Sequence, residues 1–292
     1  MLLRHLGDIT VHRIVESDEP NFDPLAFFPQ TQPSDWEPYK GWLQPHPLSP
    51  VVGYLTLVIQ SFLVRTRHHT ILIDTCVGDG KTRAGGIIPQ SWNQMTGGVF
   101  LKNLEAAGAR AEEIDFVMCT HLHSDHVGWN TRLMNGRWVP TFPNAKYIMS
   151  RRDLEHSQAV HQTRPLNQLI DSVLPVVEAG QAVLVSSDYA LDDNVWLEPT
   201  PGHTPDHFSV RLASNGSSAV VTGDIIHAPV QCMQPQWLPV ADFDPALATR
   251  TRRSFLERHC DKNTLICATH FPSPSFGHLR QHADAFEFIA DA

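Results

Sequence analysis

The stretch from Phe116 to Trp129 reads FVMCTHLHSDHVGW and joins a short apolar run to four potential metal ligands. The apolar run, Phe116 to Cys119, is typical of a buried strand. The ligands follow it at once and are His121, His123, Asp125 and His126. Side chains two residues apart in an extended segment point the same way, so His121 and His123 are expected to hold one ion. The chain must turn at Asp125 and His126, which can therefore reach a second ion.

The residue types in this cluster suit a metal site. Imidazole nitrogen and carboxylate oxygen are both ligands that zinc accepts. The alternative is a polar loop that is rich in histidine by chance, and because the chain has 17 histidines a single one carries little weight. The metal interpretation is favoured because the cluster does not stand alone.

Apolar strands run into further potential ligands at three other places. These are His203 after Val195–Glu198, Asp224 after Ala219–Thr222, and His270 after Leu265–Ala268. Strand ends on one side of a sheet let a rigid scaffold bring side chains together. Five histidines and two carboxylates suit two ions. Asp224 is the natural bridge, because a carboxylate has two oxygens whereas an imidazole offers one lone pair.

A carboxylate also ends the predicted strand Thr70–Asp74. Asp74 has two interpretations. It caps a turn, or it lies behind the metal site and accepts a hydrogen bond from the far nitrogen of a ligand histidine. The second interpretation is favoured.

Composition limits the class of protein. The chain has 292 residues, 42% of them hydrophobic, which is ordinary for a globular protein. A formal net charge of −9 without any run rich in Lys and Arg argues against a nucleic-acid partner. No segment approaches the length of a membrane span, and the N-terminus lacks the apolar core of a signal peptide. Five cysteines without a C-x-x-C motif indicate reduced thiols, so a cytoplasmic protein is predicted.

One long segment, at about residues 17–50, shows no regular periodicity and is rich in proline and aromatic residues. Its aromatic side chains are Phe22, Phe27, Phe28, Trp36, Tyr39 and Trp42. So many aromatics argue against disorder. The segment is expected to pack on the body, to cover a pocket or to embrace a second subunit. A homodimer is predicted, with Phe27, Phe28, Trp36 or Trp42 at the interface or on the pocket rim.

The motifs HLHSDHVG, PGHTPDH, TGD and ATH, in this order, resemble the metallo-β-lactamase fold superfamily, and the likeness covers nearly the whole chain. The resemblance implies an α/β fold, an αββα sandwich of two pseudo-equivalent halves in a single domain over residues 1–292, with the metal site at one edge. By analogy with the family, His121, His123 and His203 hold the first metal, Asp125, His126 and His270 hold the second, and Asp224 bridges them.

Two further stretches, GDIIHAPVQ after Asp224 and ATHFPSPSFGHLR around His270, are similar to the methyl parathion hydrolase branch of that superfamily. The same broad group contains the quorum-quenching N-acyl homoserine lactonases, pyridoxolactonase and a chlorothalonil dehalogenase. The resemblance implies two divalent ions, zinc first, with manganese, cobalt or iron as alternatives. The segments that distinguish RNA-processing members, glyoxalase II types and flavin-linked oxygen reductases are not found.

The function predicted is hydrolysis of a small apolar ester, lactone or phosphotriester. A hydroxide that bridges the metals would attack, and Asp125 and Asp224 would be the catalytic carboxylates. The alternatives are a non-haem iron oxidoreductase on the same fold, a hydrolytic dehalogenase and a metal-binding module without catalysis. Residues in loops near the ligands are candidates for the substrate pocket, with core packing an equal interpretation for each aromatic: Trp92, Trp129, His227, Trp237 and Phe271.

Overall fold

The computed structural model describes residues 2–19, 21–44 and 53–291. Its strands are β1 Leu3–Leu6, β2 Ile9–Ser17, β3 Leu43–Gln44, β4 Tyr54–Leu55, β5 Ile59–Arg65, β6 Thr70–Ile73, β7 Phe116–Met118, β8 Thr131–Met134, β9 Arg137–Pro140, β10 Lys146–Ser150, β11 Ala182–Val185, β12 Val195–Pro199, β13 Phe208–Ser214, β14 Ser217–Val221, β15 Thr264–Cys267, β16 Phe276–His282 and β17 Ala285–Ala290. The α-helices are α1 Pro24–Phe27, α2 Val99–Ala106, α3 Arg151–His161, α4 Leu174–Glu178, α5 Val230–Met233 and α6 Pro245–His259. A π-helix, Leu169–Val173, leads into α4, and short 3₁₀ turns occupy Pro33–Trp42, Gln90–Trp92, Ala111–Glu113, Gly128–Asn130 and Gly223–Ile225.

Two large sheets form the centre of the molecule. The first has seven strands in the order β1-β2-β5-β6-β7-β10-β11, and the second has six in the order β12 to β17. In the first sheet, β6, β7, β10 and β11 are parallel neighbours, and in the second β14 and β15 are parallel. Parallel neighbours end at the same edge, so the loops that follow them lie together.

Alternation along the strands builds four layers. Successive side chains of a strand point to opposite faces. Accordingly Ile71 and Ile73 pack into the core between the sheets, whereas Leu72 faces the helical side with Phe100 of α2. In the second sheet Val220 faces away from that shared core and packs with residues of α6. The αββα arrangement predicted from the sequence is confirmed.

The segment at 17–50 is more regular than the sequence predicts, in the part that the structure describes. Asp23 caps α1 by accepting from the amides of Leu25 and Ala26, and a 3₁₀ turn covers Pro33–Trp42. Phe28 and Trp36 are buried within the chain and pack against Trp237, so neither is available to a subunit interface. Residues 45–50 lie outside the described residues.

The strands β4 and β5 are separated by residues 56–58, where the backbone amide of Val58 donates to the carbonyl of His270 at 2.9 Å. No described helix has the length and apolarity that a membrane span requires.

Candidate metal centre

The seven predicted ligands come together at one edge of the two sheets. Four follow β7, and the others follow β12, β14 and β15. The ligand atoms form two groups, and within each group they lie within 4.8 Å of one another. The first group consists of His121, His123, His203 and Asp224, and the second of Asp125, His126 and His270. All but His123 and Asp125 are buried.

The carboxylate of Asp224 lies between the groups and presents one oxygen to each. Its Oδ2 is 3.2 Å from Nε2 of His203 and 3.6 Å from Nε2 of His121. Its Oδ1 is 2.9 Å from Nε2 of His270 and 3.2 Å from Nε2 of His126. This is the geometry that a bridging carboxylate requires, and it follows from the position of Asp224 in the 3₁₀ turn Gly223–Ile225, which comes after the central strand β14.

The loop after β7 is held in place by the loop after β6. The backbone amides of Gly128 and Trp129 donate to the carbonyls of Cys76 and Thr75 at 2.7 and 2.8 Å. A Cβ at position 128 would lie 1.8 Å from the carbonyl oxygen of Val77, so only glycine allows this approach. Gly128, which ends the histidine motif, therefore anchors this loop to the loop after β6.

Partners behind the histidines fix their rings. Asp74 Oδ2 lies 2.9 Å from Nδ1 of His126 and Asp242 Oδ1 lies 2.8 Å from Nδ1 of His203. The carbonyl oxygen of Val58 lies 2.8 Å from Nδ1 of His270. Because Nδ1 donates to these acceptors, a neutral ring carries its lone pair on Nε2, which faces the other ligands.

This arrangement tests whether the donors suit a metal. Nε2 of His126 and Nε2 of His270 are only 3.3 Å apart, and Nε2 of His203 is 2.9 Å from Nδ1 of His123. Lone pairs that face one another repel unless a cation lies between them. Oδ1 of Asp224 is buried and has no hydrogen-bond donor among the described residues, so it also calls for a positive charge. The residues therefore fit two divalent ions.

The pKa shifts of His203 and Asp224 also indicate a site for positive charge. Burial alone would lower the pKa of His203, but contacts with Asp224 and Asp242 outweigh it and raise that pKa to about 9. Burial would likewise raise the pKa of Asp224, yet the surrounding histidines hold it well below its usual range. The buried carboxylate thus attracts positive charge, which protons or divalent ions can supply, and ions displace protons as they bind.

A cavity of about 430 Å³ opens above the centre. The lining residues at the base of this cavity are His123, Asp125, His203, Asp224, His227 and His270. These six, together with His121 and His126 beneath them, are called the metal-facing floor. Two segments, residues 82–88 and 164–168, form much of its side and are called the loop wall. Apolar side chains line the rest of the cavity and part of the wall: Phe22, Phe27, Leu57, Ile59, Ile87, Ile88, Trp92 and Leu166.

Of the predicted pocket residues, His227 and Trp92 line this cavity, whereas Trp129, Trp237 and Phe271 do not. Trp129 is buried, stacks on Phe100 and donates its Nε1 hydrogen to Glu16. Trp237 packs among the aromatics of the N-terminal segment, and Phe271 packs edge-on against Phe288. In each case the apolar ring is used for core packing.

Sequence reasoning did not identify several residues of the centre. Asp242 follows no apolar strand and lies 39 positions from its partner His203. His207 accepts from the backbone amide of Asp224 at 2.8 Å and so positions that residue. It belongs to the PGHTPDH motif, but the motif alone did not indicate this contact. Phe22 and Phe27 belong to the aromatic segment at 17–50, and the folded chain shows that both line the cavity.

Comparison with known proteins agrees with this description. The family model described as the metallo-beta-lactamase superfamily matches residues 56–270. N-acyl homoserine lactonase AiiA of Bacillus thuringiensis subsp. kurstaki is 26% identical over 201 residues, which are 66% of this chain and 73% of the relative. A Bacillus cereus N-acyl homoserine lactonase is 25% identical over 204 residues, with the same shares.

Solved structures share the fold over almost the full length. The dizinc quorum-quenching lactonase AidC aligns with a TM-score of 0.81 at 22% identity, covering 100% of this chain and 97% of that one. The hydrolase AbOPH aligns with a TM-score of 0.79 at 24% identity, covering 99% and 97%. At these identities the structural likeness concerns the fold.

Proposed function

The chain belongs to the metallo-β-lactamase superfamily and is a metal-dependent hydrolase, and from this premise we propose that it cleaves a small ester or lactone with an apolar substituent. The observation that carries the proposal is the position of two ligand groups, joined by Asp224, at the floor of a cavity with apolar walls. Zinc is the proposed ion, because the donors are imidazole and carboxylate.

We assign the seven ligands as the sequence predicts. Two ions held there would polarise the scissile bond and provide a nucleophile from water at neutral pH. The chain's own residues prepare this chemistry. Asp224 presents one oxygen to each group, while Asp74, Asp242 and the carbonyl of Val58 keep Nε2 of three histidines free of hydrogen. These three rings already face the position that the ions would take.

His227 is the proposed contact to the substrate. It lines the cavity, and its Nε2 lies 3.1 Å from Oδ2 of Asp224. Its other nitrogen is buried and has no hydrogen-bond partner within the described residues. Because that nitrogen is closed to solvent, Nε2, on the side of Asp224, is the atom that would hydrogen-bond an oxygen of the substrate beside the metals. The apolar side chains of the cavity would exclude water from the substituent and bind it.

A lactone is favoured over a phosphotriester, because the relatives at 25–26% identity are N-acyl homoserine lactonases. The test is a panel of an N-acyl lactone, an aryl ester and an aryl phosphotriester, assayed with protein of measured metal content. We expect about two equivalents of zinc and the highest kcat/KM for the lactone or ester. One equivalent of iron with oxygen consumption would contradict the proposal. The homodimer and the cytoplasmic location remain predictions.

A further inference from the structure

A second, smaller cavity of about 200 Å³ reaches the centre from another side. Both cavities are lined by His123 and His203 of the first ligand group. The residues that separate them also line both: Arg164, Leu166, Gln168 and Ala241. A bond held at the two histidines would therefore have room for one substituent in the large cavity and for another in the small one.

The two cavities differ in chemistry. The large one is lined mainly by aliphatic and aromatic side chains. The small one lies against α3 and presents His156 and Ser157 in addition to apolar groups, while Arg164 lies at the boundary of the two cavities. An apolar substituent therefore fits the large cavity, and a small substituent with hydrogen-bond acceptors fits the other.

The charged side chains that line the small cavity differ in their contacts. The carboxylate among its described lining residues, Asp153, has both oxygens occupied, since Thr204 donates to Oδ2 at 2.6 Å and the amide of Asp206 donates to Oδ1 at 2.8 Å. Two other arginines near the centre are paired, Arg83 with Asp171 at 2.8 and 2.9 Å and Arg252 with Asp242 at 3.3 Å. Within the part of the chain that the structure describes, the guanidinium of Arg164 forms no ion pair with a carboxylate, so this cation can receive an anionic group of a substrate.

We propose that the substrate has unlike halves, with an apolar group on one side of the scissile bond and a carboxylate on the other, and that Arg164 binds this carboxylate. The inference rests on the proposed hydrolase function and extends it to the substrate class. A guanidinium forms charge-assisted hydrogen bonds with a carboxylate, which a neutral amide of the same shape does not replace. Arg164 is thus a specificity-determining residue.

The test uses two matched esters, O-hexanoyl glycolate and its neutral amide, O-hexanoyl glycolamide. We expect the metal-loaded protein to prefer the anionic ester. Arg164→Gln should lower kcat/KM for that ester about tenfold, chiefly through KM, and change the neutral ester less than twofold. Arg164→Lys should restore part of the preference. Added salt should weaken it, because Arg164 is accessible to solvent.

Arg152→Gln is the matched control. The substitution removes one positive charge, as Arg164→Gln does, but from an exposed position of α3. Arg152 lines neither cavity. Binding of the uncleavable ether hexyloxyacetate, measured by calorimetry, should weaken in Arg164→Gln and not in Arg152→Gln. Equal turnover of both esters, or equal effects of the two variants, would overturn the inference and leave the hydrolase proposal intact. Absence of turnover with the esters, the lactone and the phosphotriester alike would overturn both.

Discussion

The metal-facing floor and the loop wall of the cavity are built differently. The floor consists of side chains that follow strands, and its histidine rings are fixed by acceptors behind them, including Asp74 and Asp242. The wall consists of two loop segments, and Asn167 links them by donating to the carbonyl of Thr82 at 3.2 Å. Rigid strands thus hold the groups that activate the bond, whereas loops surround the substituents.

The wall has an anchor of its own beneath the surface. Arg83 forms two parallel hydrogen bonds with Asp171 in the π-helix, and Lys81 donates to the carbonyl of Asp171 at 2.8 Å while its ammonium lies 3.6 Å from the ring centre of Trp138. These charged side chains are buried. The comparison therefore makes a separable prediction: changes at the floor should affect metal and kcat, and changes at the wall should affect folding and KM.

Asp224→Ala is expected to have the largest effect on activity. Removal of the bridge leaves each group without a shared ligand, so the second ion should be lost and kcat should fall on the order of a thousandfold or more. Metal analysis and circular dichroism on the same sample separate this loss from unfolding. Two equivalents of metal with normal turnover would show that Asp224 is not the bridge.

Arg83→Met should destabilise the loop wall. The change leaves the carboxylate of Asp171 buried beside Lys81 alone, and breaking a buried pair costs about 3–5 kcal/mol. Urea unfolding should show this loss, and KM should rise while the folded fraction still binds two metal ions. The triple variant Lys81→Met/Arg83→Met/Asp171→Leu, which removes all three buried charges, should recover stability and serves as the control. Loss of metal in the single variant would mean that floor and wall are not separable.

Asp74→Asn and Asp242→Asn test whether the acceptors behind the histidines of the floor support metal binding. Each keeps the shape of the side chain but weakens the acceptor behind one histidine, His126 or His203, in different ligand groups. Losses of this kind typically reduce metal affinity or activity about 10–100-fold. Metal competition titrations should show one ion weakened in each variant. Unchanged affinity in Asp74→Asn would return this residue to a turn-capping role.

The floor was largely predictable from the sequence, and the wall was not. The spacing of potential ligands after an apolar strand is a local pattern, so the place of His121, His123, Asp125 and His126 at the centre could be predicted without the fold. The place of Asp74 behind His126 could be predicted for the same reason, because it directly follows β6, the neighbour of β7. Asp242 and Asp171 are ordinary acidic residues in loop or helix surroundings, and only the folded chain brings them to His203 and Arg83.

The sequence also does not show which aromatic residues lie in the core and which face the cavity. Trp129 and Phe27 are equally apolar, and neither is marked by its neighbours in the sequence as core or cavity. Burial of Trp129 depends on Glu16, 113 positions away, whose carboxylate accepts its Nε1 hydrogen. Composition can predict that such rings are covered, but which surface covers them depends on long-range contacts.

The smallest expected effect belongs to a single apolar side chain of the wall. Ile87 lines the large cavity, is partly buried and contributes no hydrogen bond or charge. If apolar substituents bind there, Ile87→Ala should raise KM for a long acyl chain. Each buried methylene contributes about 0.8 kcal/mol, so loss of contact with one corresponds to roughly a fourfold change. A substrate with a short acyl chain should be unaffected, because it does not reach the wall.

Ile289→Ala, on an exposed position of β17, controls for loss of an isoleucine elsewhere. The measurement is kcat/KM across a series of acyl chain lengths, with kcat and metal content as further readouts. Ile87→Ala should flatten the chain-length dependence while both readouts stay constant. An equal loss for short and long chains would mean that the wall positions the reacting bond itself, and the division of labour between floor and wall would fail.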